Sequence, residues 1–406
     1  MRSVSISCHK ELMDIREEII EIWNEQPEDF PDFLWQNQEV FPIVDVRQKK
    51  ENETLAKKFS GRLRKKLKKK PSSEEEKQLI EQEMEAEFYQ FLKKERILCL
   101  SEWMEPELLS DFARETKHFY HSVVAFDKAL QQGQIWQAMR NYLIYGVIAE
   151  LQGEAQNAGI PILAYSLLYP YTDNYIDDKG ILRAEKERFN RMIAGKLQGE
   201  EVVPQNELEE KVCRLLTMIL AEYQGGAGKK VADTLLELLK AQNRSICQQE
   251  RKGKAIAQDT EAQILEISVA KGGSSVLADY LFATDTWEAG EELFYRKFGL
   301  CLQLVDDLQD MEEDSKSGSH TLMTEAAEHA RLEARVNRLL WFIWTVIGEF
   351  EPKNPGLKEF VRKYCAMITM VTAAQNGRYI SGTYIKQLEP YLPFSVDFLK
   401  GILKTT

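Results

Sequence analysis

The strongest constraint on the fold is a helical spacing of apolar residues that runs from about residue 101 to residue 376. Apolar side chains recur there at intervals of three and four, which is the period of an amphipathic α-helix, and no convincing run alternates as a strand does. Clusters of Gly, Pro and Asn separate the periodic segments. The pattern predicts an all-α fold with helices over these ranges: Gln134–Asn157, Pro161–Asp177, Leu208–Tyr223, Val231–Glu250, Thr260–Phe282, Glu288–Asp310, Thr324–Phe350 and Pro355–Asn376.

Residues 1–100 differ in composition from the rest of the chain. A short helical pattern over Glu11–Asn24 leads into a Pro- and aromatic-rich stretch without a helical period, and a basic run follows at Lys57–Lys70. We predict two parts, an N-terminal extension over 1–100 and a helical domain over 101–406. The basic run is interpreted either as a solvated segment or as a lid or tether attracted to diphosphate or anionic lipid.

A helix start is predicted just after the basic run. Ser72 or Ser73 is followed three residues later by a glutamate, which is the pattern of a capping box. The helix is expected to continue to about Arg96.

Charge and cysteine content exclude several classes of protein. The net charge of −12 over 406 residues argues against nucleic acid as a partner. The six cysteines form no CxxC pair, so we predict neither a zinc site nor a disulfide framework and expect a cytoplasmic protein.

The sequence also predicts neither a secretion signal nor a transmembrane helix. Acidic residues occur near the N-terminus, where a signal peptide would be apolar. The longest apolar run, Leu339–Gly348, is too short for a bilayer span of about 20 residues and predicts a buried helix. Peripheral membrane contact and a homodimer stay open.

The first of two acidic clusters lies at the end of an apolar helix, in the segment Ile162–Gly180. Asp173 and Asp177 are four residues apart, so both carboxylates are expected on one helical face, with Asp178 beside them. Acids in the last helical turn oppose the helix dipole at a cost of about 0.3–1 kcal/mol each. A compensating cation is the functional interpretation.

The second cluster repeats this design in the segment Phe298–Gly318. Asp306, Asp310 and Asp314 have i, i+4 and i+8 spacing, which predicts a stripe of carboxylates down one helical face. Asp307 and Glu313 lie beside the stripe, and a Ser/Gly loop follows.

Together the clusters predict two acidic walls that face each other over an apolar cavity. Carboxylate oxygens suit Mg²⁺, which takes few protein ligands and shares the phosphates of its substrate. The alternative interpretation is that each cluster is an ordinary solvated helix end. Five aromatic residues are predicted either to line the cavity or to be ordinary core aromatics: Tyr165, Tyr169, Tyr171, Tyr175 and Phe282.

The same segments resemble the isoprenoid synthase superfamily. GLCLQLVDDLQDMEEDSKSG resembles the second aspartate motif of trans-prenyl diphosphate synthases, and its D-x-x-x-D-x-x-x-D spacing resembles the metal triad of terpene cyclases. YTDNYIDD resembles the D-x-x-x-D first motif of squalene and phytoene synthases, and most of all that of the bacterial large terpene synthases, the tetraprenyl-β-curcumene synthase-like family. SVAKGGSSVLADYLF resembles a prenyl synthase helix whose lysine contacts diphosphate, and Arg378-Tyr379 resembles the Arg-Tyr pair of bacterial terpene cyclases.

The resemblance covers about residues 130–390 and implies a single large isoprenoid-synthase-type helical bundle around an apolar cavity. It implies that the two walls bind Mg²⁺ and catalyse loss of diphosphate, with these ligands: Asp173, Asp177 and Asp178 on one wall, and Asp306, Asp310 and Asp314 on the other. Lys271, Arg378 and Tyr379 would contact the diphosphate of a prenyl diphosphate substrate. No Arg-Arg pair follows the first motif, which is a departure from chain-elongating synthases.

Three functions are therefore weighed. The first is a terpene synthase that ionises a polyprenyl diphosphate and releases a linear or cyclic terpene. The second is a prenyltransferase of the polyprenyl diphosphate or squalene/phytoene synthase type, which needs a second substrate. The third is a non-catalytic helical scaffold, which leaves the doubled acidic pattern without a purpose.

Overall fold

The fold is all-α, as predicted. A computed structural model describes residues 15–67, 69, 73–103, 105–154, 156–178, 180–249, 260–284 and 287–402, and these ranges contain helices and no strand. The helices in chain order are α1 (15–25), α2 (Phe33–Gln36), α3 (Val46–Leu67), α4 (Glu74–Lys94), α5 (Leu100–Trp103), α6 (Pro106–Phe126), α7 (Gln132–Leu151), α8 (Ile160–Asp177), α9 (Arg183–Leu197), α10 (Glu207–Glu222), α11 (Gly225–Gln249), α12 (Glu261–Ala283), α13 (Ala289–Gln309), α14 (Met311–Ser317), α15 (Leu322–Glu328), α16 (Leu332–Glu349), α17 (Pro355–Gln375), α18 (Gly382–Leu388), a 3₁₀ turn (Glu389–Tyr391) and α19 (Val396–Ile402).

The chain forms two compact units that interleave along the sequence. The first unit comprises Met1–Gln26, Glu115–Glu325 and Pro352–Asn354. The second unit comprises the remaining segments, Pro27–Arg114, Ala326–Glu351 and Pro355–Thr406. The division into an N-terminal extension over 1–100 and a helical domain over 101–406 stays a prediction. Both predicted acidic clusters belong to the first unit.

Most predicted helices agree with the structure to within a few residues, but one predicted helix is divided. Residues 324–350, predicted as one helix, form α15 and α16, and Ala330 between them has a left-handed φ of 55°. The apolar period continues across this break, so the sequence pattern alone does not reveal it.

The glycine-rich segment at 225–230 separates the predicted helices Leu208–Tyr223 and Val231–Glu250 in the sequence and is therefore expected to be a loop, but this expectation is wrong. The segment is the first turn and a half of α11. A Cβ at Gly228 would lie 2.7 Å from the carbonyl oxygen of Tyr223, so glycine allows the helix to start directly against the chain that enters it. Here the glycines begin a helix instead of interrupting one.

The helix α9 was not predicted at all. Its first half is rich in charged residues, and its buried apolar side chains lie only from Phe189 onward. The apolar period is therefore too short to separate this helix from the surrounding loops.

In the second unit, the Pro- and aromatic-rich stretch packs on α16. The ring of Phe33 stacks on Trp344 with centroids 4.5 Å apart, and Phe41 contacts the same indole at 5.9 Å. The apolar run at 339–348 lies within α16 and supplies buried core residues, as predicted.

The predicted cap is also confirmed, since Ser73 accepts a hydrogen bond from the Glu76 amide at 3.1 Å at the start of α4. Within the described ranges, no helix is both long and apolar enough to cross a bilayer.

In the first unit, α12 and α13 cross at two facing glycines. A Cβ on Gly272 would lie 2.3 Å from the carbonyl oxygen of Gly299, and a Cβ on Gly299 would lie 2.1 Å from that of Gly272. Only glycine at both positions allows the two backbones to approach this closely. The crossing places Lys271 of α12 beside the acidic end of α13.

We expect Gly272→Ala to destabilise the protein, because the new methyl group meets backbone atoms of α13 that cannot rotate away. Overpacking of this kind costs about 1–3 kcal/mol. The measurement is the free energy of unfolding in urea. Gly290→Ala on α13 is the matched control, since nothing lies within 4 Å of a Cβ there. Equal unfolding free energies for Gly272→Ala and the wild type would contradict the close crossing.

Candidate active site

A pocket of about 260 Å³ in the first unit collects most of the predicted site residues. The ends of α8, α11 and α13 contribute to it, together with the first halves of α7 and α12. Five of the residues predicted from the sequence line it: Asp173, Lys271, Asp306, Asp310 and Asp314. The two acidic segments therefore do face one space, as the sequence analysis predicts.

Asp173 forms the first wall, at the end of α8. Its Oδ1 accepts a hydrogen bond from Gln242 Nε2 of α11 at 2.9 Å, which fixes the orientation of the carboxylate. The side chain of Asp177, predicted on the same face, lies outside the described residues. Asp178 is exposed and its Oδ1 accepts from the Gly180 amide at 2.7 Å, so it stabilises the turn that ends α8. It is not among the residues that line the pocket.

The second wall differs in one respect from the predicted stripe. The helix α13 ends at Gln309, and Asp310 is the junction between α13 and α14. Asp306 therefore lies on α13 and Asp314 on α14. The Asp310 amide donates to the Asp306 carbonyl at 2.9 Å and the Asp314 amide donates to the Asp310 carbonyl at 2.8 Å, so helical hydrogen bonding continues across the junction. The three carboxylates line one pocket despite the break.

A glycine after α14 returns the chain to the pocket. Gly318 has a left-handed φ of 83° and its amide donates to the Asp314 carbonyl at 2.8 Å. This is the usual conformation for glycine at a helix end. The turn directs Ser319, His320 and Thr321 to the rim of the pocket, where they lie beside Asp314.

The carboxylates of the second wall are electrostatically crowded. Burial raises the pKa of Asp307 to about 7, although Gln303 Nε2 donates to its Oδ1 at 2.8 Å and offsets part of this rise. Burial also raises the pKa of Asp310 and of Asp314 to about 6 each, and neighbouring carboxylates add to both rises. The Lys271 ammonium acts in the opposite direction on all three. The wall therefore holds more negative charge than its single lysine neutralises.

The donor set fits Mg²⁺ shared with a phosphate ligand. In the described part of the chain, no three His, Cys, Asp or Glu side chains are grouped closely enough to enclose a cation by themselves. Mg²⁺ does not require such a group, because it keeps several waters and is usually held by one or two carboxylates together with substrate phosphates. Carboxylates from two separate walls, among them Asp310 and Asp314, whose pKa values are raised by burial, provide hard oxygen ligands for that arrangement.

Beneath the acids, α8 and α12 are joined by a polar contact. Tyr169 lies one turn before Asp173, Ser275 lies one turn after Lys271, and their hydroxyl groups are 2.5 Å apart. Tyr165 donates to the Ser275 carbonyl at 3.2 Å. This polar layer differs from the apolar lining that the sequence analysis predicts directly beneath the acids.

A buried carboxyl group continues the polar layer. Asp279 is 1% exposed, and its Oδ1 accepts from Asn141 Nδ2 of α7 at 3.2 Å. The same amide group donates to Ser166 of α8 at 3.0 Å. Burial raises the pKa of Asp279 well above its usual value, because the charged form loses its hydration there. Hydrogen bonds between polar side chains thus connect three helices, α7, α8 and α12.

The remaining aromatic residues have packing partners of their own. The Tyr171 hydroxyl donates to Asp127 at 2.7 Å, and the Tyr175 ring packs on Phe189 with centroids 4.5 Å apart. Phe282 packs on Tyr165 with centroids 5.2 Å apart. None of the five predicted cavity aromatics lines the acidic pocket.

Arg378 and Tyr379 belong to the second unit. They lie in the turn that follows α17, and the Arg378 guanidinium lies over the Tyr379 ring at 5.6 Å. Arg378 is exposed. Their contact with a diphosphate stays a prediction.

Sequence reasoning missed one cation of the pocket. Arg140 of α7 lines it, and its Nη1 lies 3.3 Å from Asp306 Oδ1. Gln137 lies one turn earlier on the same face and also lines the pocket. The sequence feature that could have revealed Arg140 is this polar face, because it lies on a helix whose later residues, from Tyr142 to Leu151, are largely buried.

Comparison of the chain with family models, with curated proteins and with solved structures finds no match.

Proposed function

We propose that the acidic pocket of the first unit binds a polyprenyl diphosphate with Mg²⁺ and ionises it, and that the chain is a terpene synthase of class I. The observation that carries this proposal is the convergence of Asp173 with Asp306, Asp310 and Asp314 on one pocket that also contains Lys271. Carboxylates from two sequence-distant helices repel a bare diphosphate and attract the cations that accompany it.

Seven of the residues that line the pocket have a defined task in this scheme. Asp173 on one wall, with Asp306, Asp310 and Asp314 on the other, would hold Mg²⁺, which neutralises the charge of the diphosphate when bound. Lys271 and Arg140 supply fixed positive charges to phosphate oxygens. Gln242 holds the Asp173 carboxylate in place through its 2.9 Å hydrogen bond.

The reaction is the heterolytic cleavage of the carbon–oxygen bond that joins the allylic chain to the diphosphate. The bonding electron pair leaves with pyrophosphate, and the allylic cation then loses a proton or is captured by water. Fixed charges at the pocket stabilise the departing oxygen more effectively than water does, because they need no reorganisation.

We expect pyrophosphate release to require a divalent cation, because the crowded carboxylates exclude a diphosphate that brings none. Pyrophosphate release from C10 to C25 prenyl diphosphates is measured with Mg²⁺ and again in excess EDTA. The control is the EDTA-treated protein after its transfer into a buffer that contains Mg²⁺ and no Ca²⁺, in which release should return. Unchanged release in EDTA would contradict the proposal.

Product analysis on the same substrates separates the alternatives. Gas chromatography is expected to show a hydrocarbon or alcohol from a single prenyl diphosphate. Products that form only when isopentenyl diphosphate is added would assign a prenyltransferase instead. Absence of pyrophosphate with every substrate would favour a scaffold.

A further inference from the structure

The basic run of the sequence begins in the second half of α3, within the second unit. Between residues 54 and 73 the sequence contains nine Lys or Arg residues and no Asp or Glu, although the whole chain carries a net charge of −12. None of these residues lines the acidic pocket. The positive charge of this segment is therefore separated in sequence from the acidic remainder of the chain, and the proposed chemistry does not explain it.

One side of α3 packs on α4. The Phe59 ring stacks on Phe91 of α4 with centroids 4.3 Å apart. On the same pair of helices, Lys66 Nζ bonds Glu83 at 3.1 Å and Glu87 at 3.2 Å. The apolar side chains and carboxylates of α4 therefore account for the residues of α3 that lie against it.

The solvent-facing side of α3 and the turn after it carry five exposed cations, here called the basic face: Lys58, Arg62, Arg64, Lys65 and Lys69. Lys58, Arg62 and Lys65 have i, i+4 and i+7 spacing, which places them on one side of the helix. Among the residues that the structure describes, none of the five cations pairs with a carboxylate. Their positive charge is therefore available to an external anionic partner.

The helix dipole explains only part of this charge. Cations in the last turn of a helix lie at its negative end, which accounts for Arg64 and Lys65. Lys58 and Arg62 lie in earlier turns, and like charges at i and i+4 destabilise a helix. An anionic surface that contacts the basic face would remove this repulsion.

We propose that the basic face docks the second unit on a lipid bilayer that contains anionic phospholipid. Clusters of four to eight Lys and Arg residues on a helix are typical of such docking, and each one near the bilayer raises the affinity about 5-fold. The attachment is electrostatic and reversible, because no apolar chain is inserted. Salt weakens it, since the Debye length falls from about 10 Å at 0.1 M to about 3 Å at 1 M.

A fluid bilayer fits these observations better than a nucleic acid does. Anionic lipids diffuse within a bilayer, so they gather under the basic face while zwitterionic lipids lie opposite acidic parts of the protein. A DNA duplex carries one fixed negative charge about every 1.7 Å and cannot redistribute it. The acidic remainder of the chain repels a polymer of that kind.

The first test is co-sedimentation of the full chain with vesicles in excess EDTA, which removes cations that could join the acidic pocket to lipid headgroups. Vesicles of phosphatidylcholine alone are compared with vesicles in which about one third of the lipid is phosphatidylserine. We expect binding only to the vesicles with phosphatidylserine, and loss of this binding in about 1 M NaCl. Absence of binding to these vesicles would overturn the proposal, and so would tighter binding to duplex DNA or to RNA.

A triple variant tests whether the basic face is the surface that binds. We expect Lys58→Gln/Arg62→Gln/Lys65→Gln to lower the vesicle partition coefficient at least about 30-fold, because three of the five cations are lost. Glutamine is about as good a helix former as lysine or arginine, so α3 should remain folded. Undiminished binding by this variant would overturn the proposal.

The matched control removes the same number of charges from exposed cations of the first unit: Lys128→Gln/Arg191→Gln/Lys240→Gln. It should bind within about 2-fold of the wild type, because it leaves the basic face intact. Equal losses in the two triple variants would overturn the basic face as the docking surface. Because these measurements need neither Mg²⁺ nor turnover, their failure is distinct from failure of the proposed enzyme activity.

Discussion

Asp173→Asn and Asp310→Asn are each expected to lower pyrophosphate release at least about 100-fold, because each removes a charged oxygen ligand from one wall of the acidic pocket. The two residues come from different helices, α8 and the α13–α14 junction, so parallel losses would show that both walls act on one substrate. The measurement is turnover at saturating Mg²⁺ with the best substrate of the prenyl diphosphate series. Asparagine keeps the size of the side chain, which separates loss of charge from loss of packing.

Glu312→Gln is the matched control for these variants. Glu312 lies on α14 only two residues from Asp314, is exposed and bonds Lys316 at 2.9 Å instead of lining the pocket. It should keep turnover within about 2-fold of the wild type, because exposed ion pairs contribute little. Equal losses in Glu312→Gln and Asp310→Asn would mean that general negative charge near α14 matters and that Asp310 has no special role.

Thermal unfolding distinguishes a damaged site from a damaged fold. The folded protein raises the pKa of Asp310 from 3.8 to about 6, so the folded state binds the proton more tightly than the unfolded state does. The contribution of Asp310 to the free energy of unfolding therefore falls as pH rises from about 4 to about 6, and this loss is complete above that range. In EDTA at pH 8, Asp310→Asn should unfold at the same temperature as the wild type or at a higher one. A lower unfolding temperature would attribute its inactivity to the fold.

The helices and the acidic ends of α8 and α13 could be predicted because local sequence determines them. The apolar period gives each helix, and the i, i+4 spacing of Asp306 and Asp310 gives their common direction. That the two acidic ends face one space was predicted from their common position at the ends of apolar helices, but the packing that brings them together could not be predicted from the sequence. The close approach at Gly272 and Gly299 is an example, since a glycine pair in a sequence does not reveal which backbone it faces.

The polar layer beneath the acids was not predicted for a different reason. Tyr169 and Ser275 are separated by more than a hundred residues, and neither is unusual within its own helix. Their pairing depends on the angle by which α8 and α12 are rotated about their own axes. The apolar period shows which broad face of each helix is buried, but it does not determine this angle closely enough to predict a contact between two side chains. The contribution of Arg140 was missed for the same reason, because its direction is set by the packing of α7.

Stability of the first unit depends on a buried ion network that joins α1, α11 and α13. Arg296 of α13 is 3% exposed and bonds both carboxylate oxygens of Glu237 at 3.0 Å. Arg16 of α1 bonds the same carboxylate at 2.6 Å, and Glu292 accepts from Arg296 Nε at 3.0 Å. Glu237 therefore neutralises two guanidinium groups that come from different helices.

Glu237→Ala is expected to lower the free energy of unfolding by about 3–5 kcal/mol, because it leaves Arg296 buried with only Glu292 as a partner. Urea unfolding at pH 7.5 measures this loss. The matched control is Glu207→Ala, which removes a carboxylate that is 82% exposed and pairs with Lys211 at 2.8 Å, and it should change the free energy by less than about 1 kcal/mol. Since α11 carries Gln242 and α13 carries Asp306, loosening their connection should also weaken the pocket, so Glu237→Ala should lose turnover at temperatures where it is still folded. A variant as stable as the control would show that water replaces the lost carboxylate and that the network does not hold these helices together.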